Sequence, residues 1–354
     1  MIELNKIYCE DCRATMARMP GDFVNCIVTS PPYWGLRDYG VDGQFGLEKT
    51  PEEYIAQMVE IFREARRVLR DDGVLWMNLG DSYARQAGND STKPTDSGMK
   101  TGRSGKSDIL FKNGNNTPPS GLKPKDLVGI PWRVAFALQA DGWYLRQDII
   151  WSKPNPMPES VKDRCTKAHE YIFLLTKSAR YWYDADAIRE PLKDSSISRL
   201  SQNIEGQAGS FRIPGKTNGA MKAVSRKTDK QRGHGRKHAG FNDRWDAMSK
   251  EEQSANGANK RSVWEIATKP FSEAHFATFP PEIPETCIKA GCPEGGIVYD
   301  PFMGAGTVAM VARQLNRDFI GSELNPEYVA IAEKRIKPYM QQVTIFDVLR
   351  EAKG

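Results

Sequence analysis

Long apolar runs are missing from this chain of 354 residues. No stretch approaches the ~18 apolar residues that a membrane-spanning helix requires, so no membrane role is expected. The opening Met1-Ile2-Glu3-Leu4 lacks a secretory pattern, and the expected setting is cytoplasmic. Cysteine is scarce: six residues scattered over this length suit a reduced thiol pool rather than a disulfide framework. Metal-ligand spacing is absent as well. Cys9-x-x-Cys12 has no matching pair, and Cys287 and Cys292 are separated by four residues with no histidine pair to complete a set, so no metal site is expected.

A strong overall charge is also lacking, since 50 Lys and Arg stand against 45 Asp and Glu, a net +5. The distribution is uneven, however. Between Glu190 and Ser262, 15 basic residues face 8 acidic ones, so this one segment exceeds the net charge of the whole chain. It contains Lys222, Arg226, Lys227, Lys230, Arg232, Arg236 and Lys237 among Gly, Ser, Asn and His. Basic side chains on a polar scaffold can track a phosphate backbone, and Arg, Asn and Gln can read base edges in the major groove. The competing reading is a solvated insertion that binds nothing. A second polar stretch, Ser82 to Lys125, is rich in Gly, Ser, Asn, Thr and Lys and reads as a mobile insertion, because such a length without secondary structure is uncommon inside a compact domain.

Elsewhere strand and helix patterns alternate. Lys6–Cys9 reads as a strand, 14–19 as a helix and 23–29 as a strand. Pro51 to Leu69 carries apolar residues at helical spacing; Asp72-Gly73 then reads as a turn into the strand 74–79. A helix is expected over 131–140, and strands over 144–151 and 170–176. The alternation implies a mostly parallel sheet covered on both faces, in one large α/β domain with inserted lobes or in two domains.

Two segments carry chemistry. In Ile27-Val28-Thr29-Ser30-Pro31-Pro32-Tyr33-Trp34 a buried strand stops in a rigid loop, where two prolines fix φ and remove two backbone donors. Ser30 and the Pro31 carbonyl are then acceptors, and Tyr33 and Trp34 offer planar faces on which an extruded base could stack. In the second, Gly296 to Thr307, a strand ends in Asp300-Pro301-Phe302-Met303-Gly304-Ala305-Gly306 and a helix follows. A Gly-x-Gly turn at a helix N-terminus lets a ligand approach the backbone. This turn has neither the third glycine of a dinucleotide fingerprint nor a Gly-Lys-Ser/Thr, which disfavours NAD and ATP. The next strand ends at Glu323, whose carboxylate could accept from a ribose; Asn325 and Pro326 then read as N-cap and first residue of another helix.

Together these residues resemble the DNA amino-methyltransferases, which move a methyl group from S-adenosylmethionine to the exocyclic amine of cytosine or adenine. Thr-Ser-Pro-Pro-Tyr comes first and Asp-Pro-Phe-Met-Gly-Ala-Gly-Thr last, the order of the circularly permuted β group. The resemblance covers roughly residues 5–85, 125–190 and 263–337. It implies a Rossmann-like S-adenosylmethionine-dependent methyltransferase fold, with a catalytic half over 1–189, a target-recognition insertion over 190–262, a cofactor-binding half over 263–340 and a tail over 341–354. Ser30, Pro31, Pro32 and Tyr33 would form the catalytic loop. Asp11, Cys12, Asp300, Pro301, Phe302, Gly304, Gly306, Thr307, Glu323 and Asn325 would hold the cofactor, with Phe276, Thr278 and Pro280 closing over its methionine end. Trp34, Trp151, Lys153 and Asn155 would border the target base, and Arg226, Lys227, Arg232, Arg236 and Lys237 would contact double-stranded DNA.

An attacking cysteine after proline, which a carbon-5 cytosine methyltransferase needs, is absent from the chain. Ser30 at the head of the loop favours cytosine N(4) over adenine N(6), where Asp or Asn is more usual. RNA or protein-glutamine methylation and noncatalytic DNA binding are remoter readings. The resemblance also implies a bacterial or phage-encoded protein, with a homodimer and a separately encoded restriction endonuclease as candidate partners.

Overall fold

The computed structural model describes residues 2–36, 40–84, 121–192, 252, 257–269 and 279–340. Phe276, Thr278, the five basic candidates from Arg226 to Lys237, most of the expected insertion over 82–125 and the tail over 341–354 lie outside the described residues. The chain divides into two compact units, residues 1–184 with 261–354, and 185–260. In the smaller unit, Glu190 and Ala258 form a two-way backbone bridge, and Lys260 pairs with Glu190 at 3.5 Å.

Among the described residues, the larger unit is built on eight strands: β1 Lys6–Cys9, β2 Val24–Thr29, β3 Leu69–Leu79, β4 Tyr144–Ser152, β5 His169–Thr176, β6 Val263–Glu265, β7 Ile297–Asp300 and β8 Asp318–Glu323. Their spatial order is β1-β8-β7-β2-β3-β5-β4-β6. Every neighbouring pair is parallel except the two that involve β5, which runs against the rest. The helices are α1 Cys12–Ala17, α2 Pro51–Val68, α3 Ile130–Ala140, α4 Glu282–Gly291, α5 Thr307–Gln314 and α6 Pro326–Met340.

Side chains alternate along each strand, so each central strand feeds two cores. Ile27, Leu75, Met77, Phe173 and Tyr299 pack with Met16, Met58, Phe62 and Val134 from α1, α2 and α3. The intervening Cys26, Val74 and Trp76 meet Gly291 of α4, where an added Cβ would come within 2.5 Å of Val74. Burial on both faces explains the near-continuous apolar runs of β2 and β3.

Helix α2 shows how local chemistry sets an element. Thr50 caps it by accepting from the Glu53 N–H at 3.1 Å, and Pro51 opens it. Acidic residues fill its first turn and Arg66 and Arg67 its last, matching the helix dipole. The expected turn at Asp72-Gly73 is absent. Strand β3 begins directly at Leu69, and the register jumps from Val24 opposite Leu69 to Cys26 opposite Val74. Gly73 fits within this bulge because a Cβ there would lie 2.9 Å from the Asn25 carbonyl oxygen.

From β7 the chain passes through α5 to β8 on one side; from β2 it passes through α2 to β3 on the other. The sheet order therefore reverses between β7 and β2, and the crevice outside their carboxyl ends is where open α/β sheets bind ligands. Reversal of β5 places its first residues, His169 and Glu170, on that same edge, opposite Ser152 and Trp151 at the end of β4.

Candidate active site

A cavity of about 820 Å3 opens at this edge. Thr29, last in β2, donates to the Asp300 carboxylate at 2.7 Å, joining the ends of β2 and β7 beneath it. The Phe302 N–H donates to the same Asp300 oxygen at 3.0 Å. Burial pushes the Asp300 carboxyl up to about 7. Glu323, at the end of β8, accepts from the Gly304 and Asn325 N–H groups at 2.8 Å each. Burial raises it as well.

The glycine turn between β7 and α5 is held from behind. Gly306 has φ 77° and caps α5 in the left-handed region, where an added Cβ would also lie 2.8 Å from the Ala332 Cβ. Arg335 of α6 donates to the Ala305 carbonyl at 3.2 Å and to Thr307 Oγ1 at 2.9 Å. Pro301, Phe302, Gly304, Thr307 and Asn325 all line the cavity; Gly306 supports it without lining it. Asn325 also caps α6, accepting from Glu327 N–H at 2.9 Å.

Asp11 and Cys12 form the wall beside β1. Asp11 caps α1 through Arg13 N–H at 2.8 Å; burial would raise its carboxyl, but the Arg13 hydrogen bonds hold it below the usual range. Burial pushes the Cys12 thiol up to about 12. Phe45 enters the wall too, edge-on to Phe302 with ring centres 5.9 Å apart and beneath the Arg13 guanidinium.

Across the cavity the catalytic-loop candidates meet a polar cluster. Ser30, Pro31, Pro32 and Tyr33 all line the space. Tyr54 of α2 donates to the Pro32 carbonyl at 2.9 Å and fixes the loop, while the Pro31 carbonyl has no hydrogen-bond donor among the described residues. Tyr33 Oη lies 2.7 Å from Glu170 Oε2 and 3.0 Å from Asn78 Oδ1, with Ser30 Oγ at 3.3 Å from the same Asn78 oxygen. Asn78 donates to the Tyr171 carbonyl at 3.1 Å and to Glu170 at 3.2 Å. Lys153 pairs with Glu170 and sits 4.2 Å above the Trp151 ring.

Sequence reasoning placed most of these residues but not all. Trp34 is corrected: only 3% exposed, it packs in the core and donates its indole N–H to the Glu48 carbonyl at 3.0 Å, so it has no face to offer a base. Trp151 and Asn155 reach the cavity, yet the Trp151 indole N–H is taken by the Ile266 carbonyl at 2.8 Å, and the Asn155 amide clamps the Thr268 backbone at 2.9 and 3.0 Å. Asn78, Glu170 and Lys167, all of which line the cavity, were missed. Asn78 is the last residue but one of a strand already expected over 74–79, so its position at the working edge was available as a signal. Glu170 was not, because the reversal of β5 that brings it there leaves no mark in an apolar run.

A family model described as DNA methylase matches residues 24–334. Type II methyltransferase M.Cfr9I of Citrobacter freundii is 43% identical over 338 residues, covering 95% of this chain and 89% of its own. Among solved structures, PvuII DNA methyltransferase, described as cytosine-N4-specific, aligns with a TM-score of 0.55 at 16% identity over 98% of this chain and 90% of its own. TTHA0409 of Thermus thermophilus, solved with S-adenosyl-L-methionine, aligns at 0.53 and 19% over 95% of each chain. Those two likenesses establish a shared fold. With the family match spanning both the Ser-Pro-Pro-Tyr loop and the glycine turn, the chain belongs to the DNA methylase family of N(6) and N(4) amino-methyltransferases and is a DNA methyltransferase.

Proposed function

We propose that the protein transfers a methyl group from S-adenosylmethionine to the N(4) amine of a cytosine turned out of duplex DNA into the cavity. The observation that carries this reading is the meeting, in one cavity, of two differently built walls: the Asp300 and Glu323 carboxylates around a glycine turn, and the Ser30 hydroxyl beside the Tyr33 ring. Buried Asp300 and half-buried Glu323 face the same space, and among the described residues neither carboxylate pairs with a Lys or Arg. Such acceptors suit a ligand that brings its own positive charge and hydroxyls. Glu323 would take the ribose hydroxyls, the turn from Phe302 to Gly304 and Thr307 would border the methionine part, and Asp11 would lie near the adenine amine. When bound, the cofactor supplies an electrophilic methyl group for in-line displacement.

An exocyclic amine is a poor nucleophile because its lone pair is delocalised into the ring. Ser30 Oγ and the Pro31 carbonyl accept its two N–H bonds and draw that pair out of conjugation. Tyr33 stacks on the base and aims the nitrogen. The basic stretch that includes Arg226, Lys227, Arg232, Arg236 and Lys237 would follow the DNA backbone. A DNA substrate and the bacterial source of the Citrobacter relative support a setting in the bacterial cytoplasm, and the Type II name of that relative supports a companion restriction endonuclease.

Mixed-sequence duplex DNA incubated with methyl-labelled S-adenosylmethionine, digested to nucleosides and analysed by mass spectrometry, tests the reading. N(4)-methylcytosine is the expected product. N(6)-methyladenine would reverse the choice of base, and label on neither base in a duplex rich in sequence contexts would overturn the proposal.

A further inference from the structure

Four polar side chains from three strand ends, Ser30 and Tyr33 after β2, Asn78 in β3 and Glu170 in β5, meet in the catalytic wall, and their hydrogens can be counted. The Tyr171 carbonyl can only accept, so the Asn78 amide must present its NH2 there and to Glu170, which leaves Oδ1 facing the two hydroxyls. The single Tyr33 hydroxyl proton has within reach Glu170 at 2.7 Å, Asn78 Oδ1 at 3.0 Å and Ser30 Oγ at 3.4 Å. The shorter contact to a charged acceptor takes it. Ser30 then gives its proton to Asn78 Oδ1 at 3.3 Å or to the Tyr33 oxygen at 3.4 Å. Either way the Ser30 proton is absorbed by the cluster, and its lone pairs are left facing the cavity it lines.

We propose that Glu170, held in place by Lys153, is a positioning residue that points the Tyr33 proton away from Ser30 and so keeps Ser30 Oγ a pure acceptor for the substrate N–H. This rests on the amino-group transfer proposed above. Without the carboxylate, the Tyr33 proton turns to Asn78 or Ser30 and competes with the incoming amine for the same lone pair. Glu170 touches neither the base nor the cofactor in this role. Lys153 contributes by neutralising a carboxylate that is only 16% exposed and by closing off its other oxygen.

The test is a double-mutant cycle on single-turnover methyl transfer to duplex DNA. Glu170→Gln places an amide beside Tyr33 that can donate to its oxygen and redirect its proton. Alone, it should lower the transfer rate about ten-fold with unchanged cofactor affinity; in a Tyr33→Phe background, where there is no proton to redirect, it should cost at most about two-fold. Equal losses in both backgrounds would overturn the inference, as would a matching loss of cofactor affinity, which marks a structural role. Should Glu170→Gln fail to fold at the assay temperature, Lys153→Met loosens the same carboxylate and is read through the same cycle. The two proposals fail separately: wild-type enzyme that transfers no methyl to DNA overturns the reading of function, whereas active wild type with an undiminished Glu170→Gln variant overturns only this one.

Discussion

The cofactor wall, between β7 and β8, holds its carboxylates mostly with main-chain N–H groups, the Thr29 hydroxyl on Asp300 being the exception, whereas the base wall, between β2 and β4, satisfies its polar side chains largely with one another. Glu323 is held by Gly304 and Asn325 through backbone alone. Ser30 depends on Asn78, Tyr33 and Glu170, each from a separate segment. Backbone donors move only if the turn moves, so the first wall is preorganised by the path of the chain. Side-chain networks are cooperative, and one altered member redirects the hydrogens of the others. The lesson is a division of labour in which binding rests on fixed geometry and reactivity on an arrangement of protons.

The sharpest way to break this comparison is Ser30→Ala. Turnover should fall about 10²-fold, the scale seen when one polar group aimed at a reacting centre is removed, while calorimetry gives a nearly unchanged cofactor affinity. Equal loss of both would show that the two walls are one unit. Next in size is Glu323→Ala, which strands two N–H groups and removes a charged acceptor worth about 1.5–3 kcal/mol per hydrogen bond. Cofactor dissociation should rise about ten-fold or more, with turnover at saturating cofactor largely kept; a collapse in turnover at saturation would place Glu323 in the chemistry instead.

The smallest effect is in pH. Because burial raises Asp300 to about 7, the folded protein binds a proton there that the unfolded chain has released. That contribution to stability is complete at low pH and is lost as pH rises through 7. The ligand-free melting temperature should therefore decline from about pH 4 to about pH 7 and level off above it, while affinity for a cationic cofactor rises several-fold as the carboxylate ionises through about pH 7. Glu323, raised in the same direction, adds to both trends. Asp300→Asn should flatten the affinity profile, and a profile unchanged by that substitution would remove Asp300 from contact with the ligand's charge.

The cofactor wall was readable in the sequence because its parts are local: Asp300 to Thr307 is one strand, turn and helix, and Glu323 ends the next strand. The base wall was readable only at Ser30 to Tyr33, for which the prolines announce a rigid loop. Glu170 belongs to an apolar strand whose direction depends on tertiary pairing with β3 and β4, which no local pattern encodes. Trp34 was misread for a related reason. An aromatic next to a functional tyrosine looks the same in sequence whether it faces the cavity or the core, and the Glu48 carbonyl that draws it inward lies in a loop of no distinctive pattern.

The hydrogen bond from Thr29 to Asp300 spans 271 positions of the chain, and β1 and β2 both wait for partners, β8 and β7, that lie near its other end. During synthesis the strand that carries the catalytic loop leaves the ribosome with one edge bare, and at ~5–20 residues per second its neighbour follows tens of seconds later. Through that interval a strand with four consecutive buried residues has an unpaired edge open to other nascent chains. The permuted order thus makes the yield of active enzyme sensitive to the speed of translation and the supply of chaperones, even where the finished fold is stable.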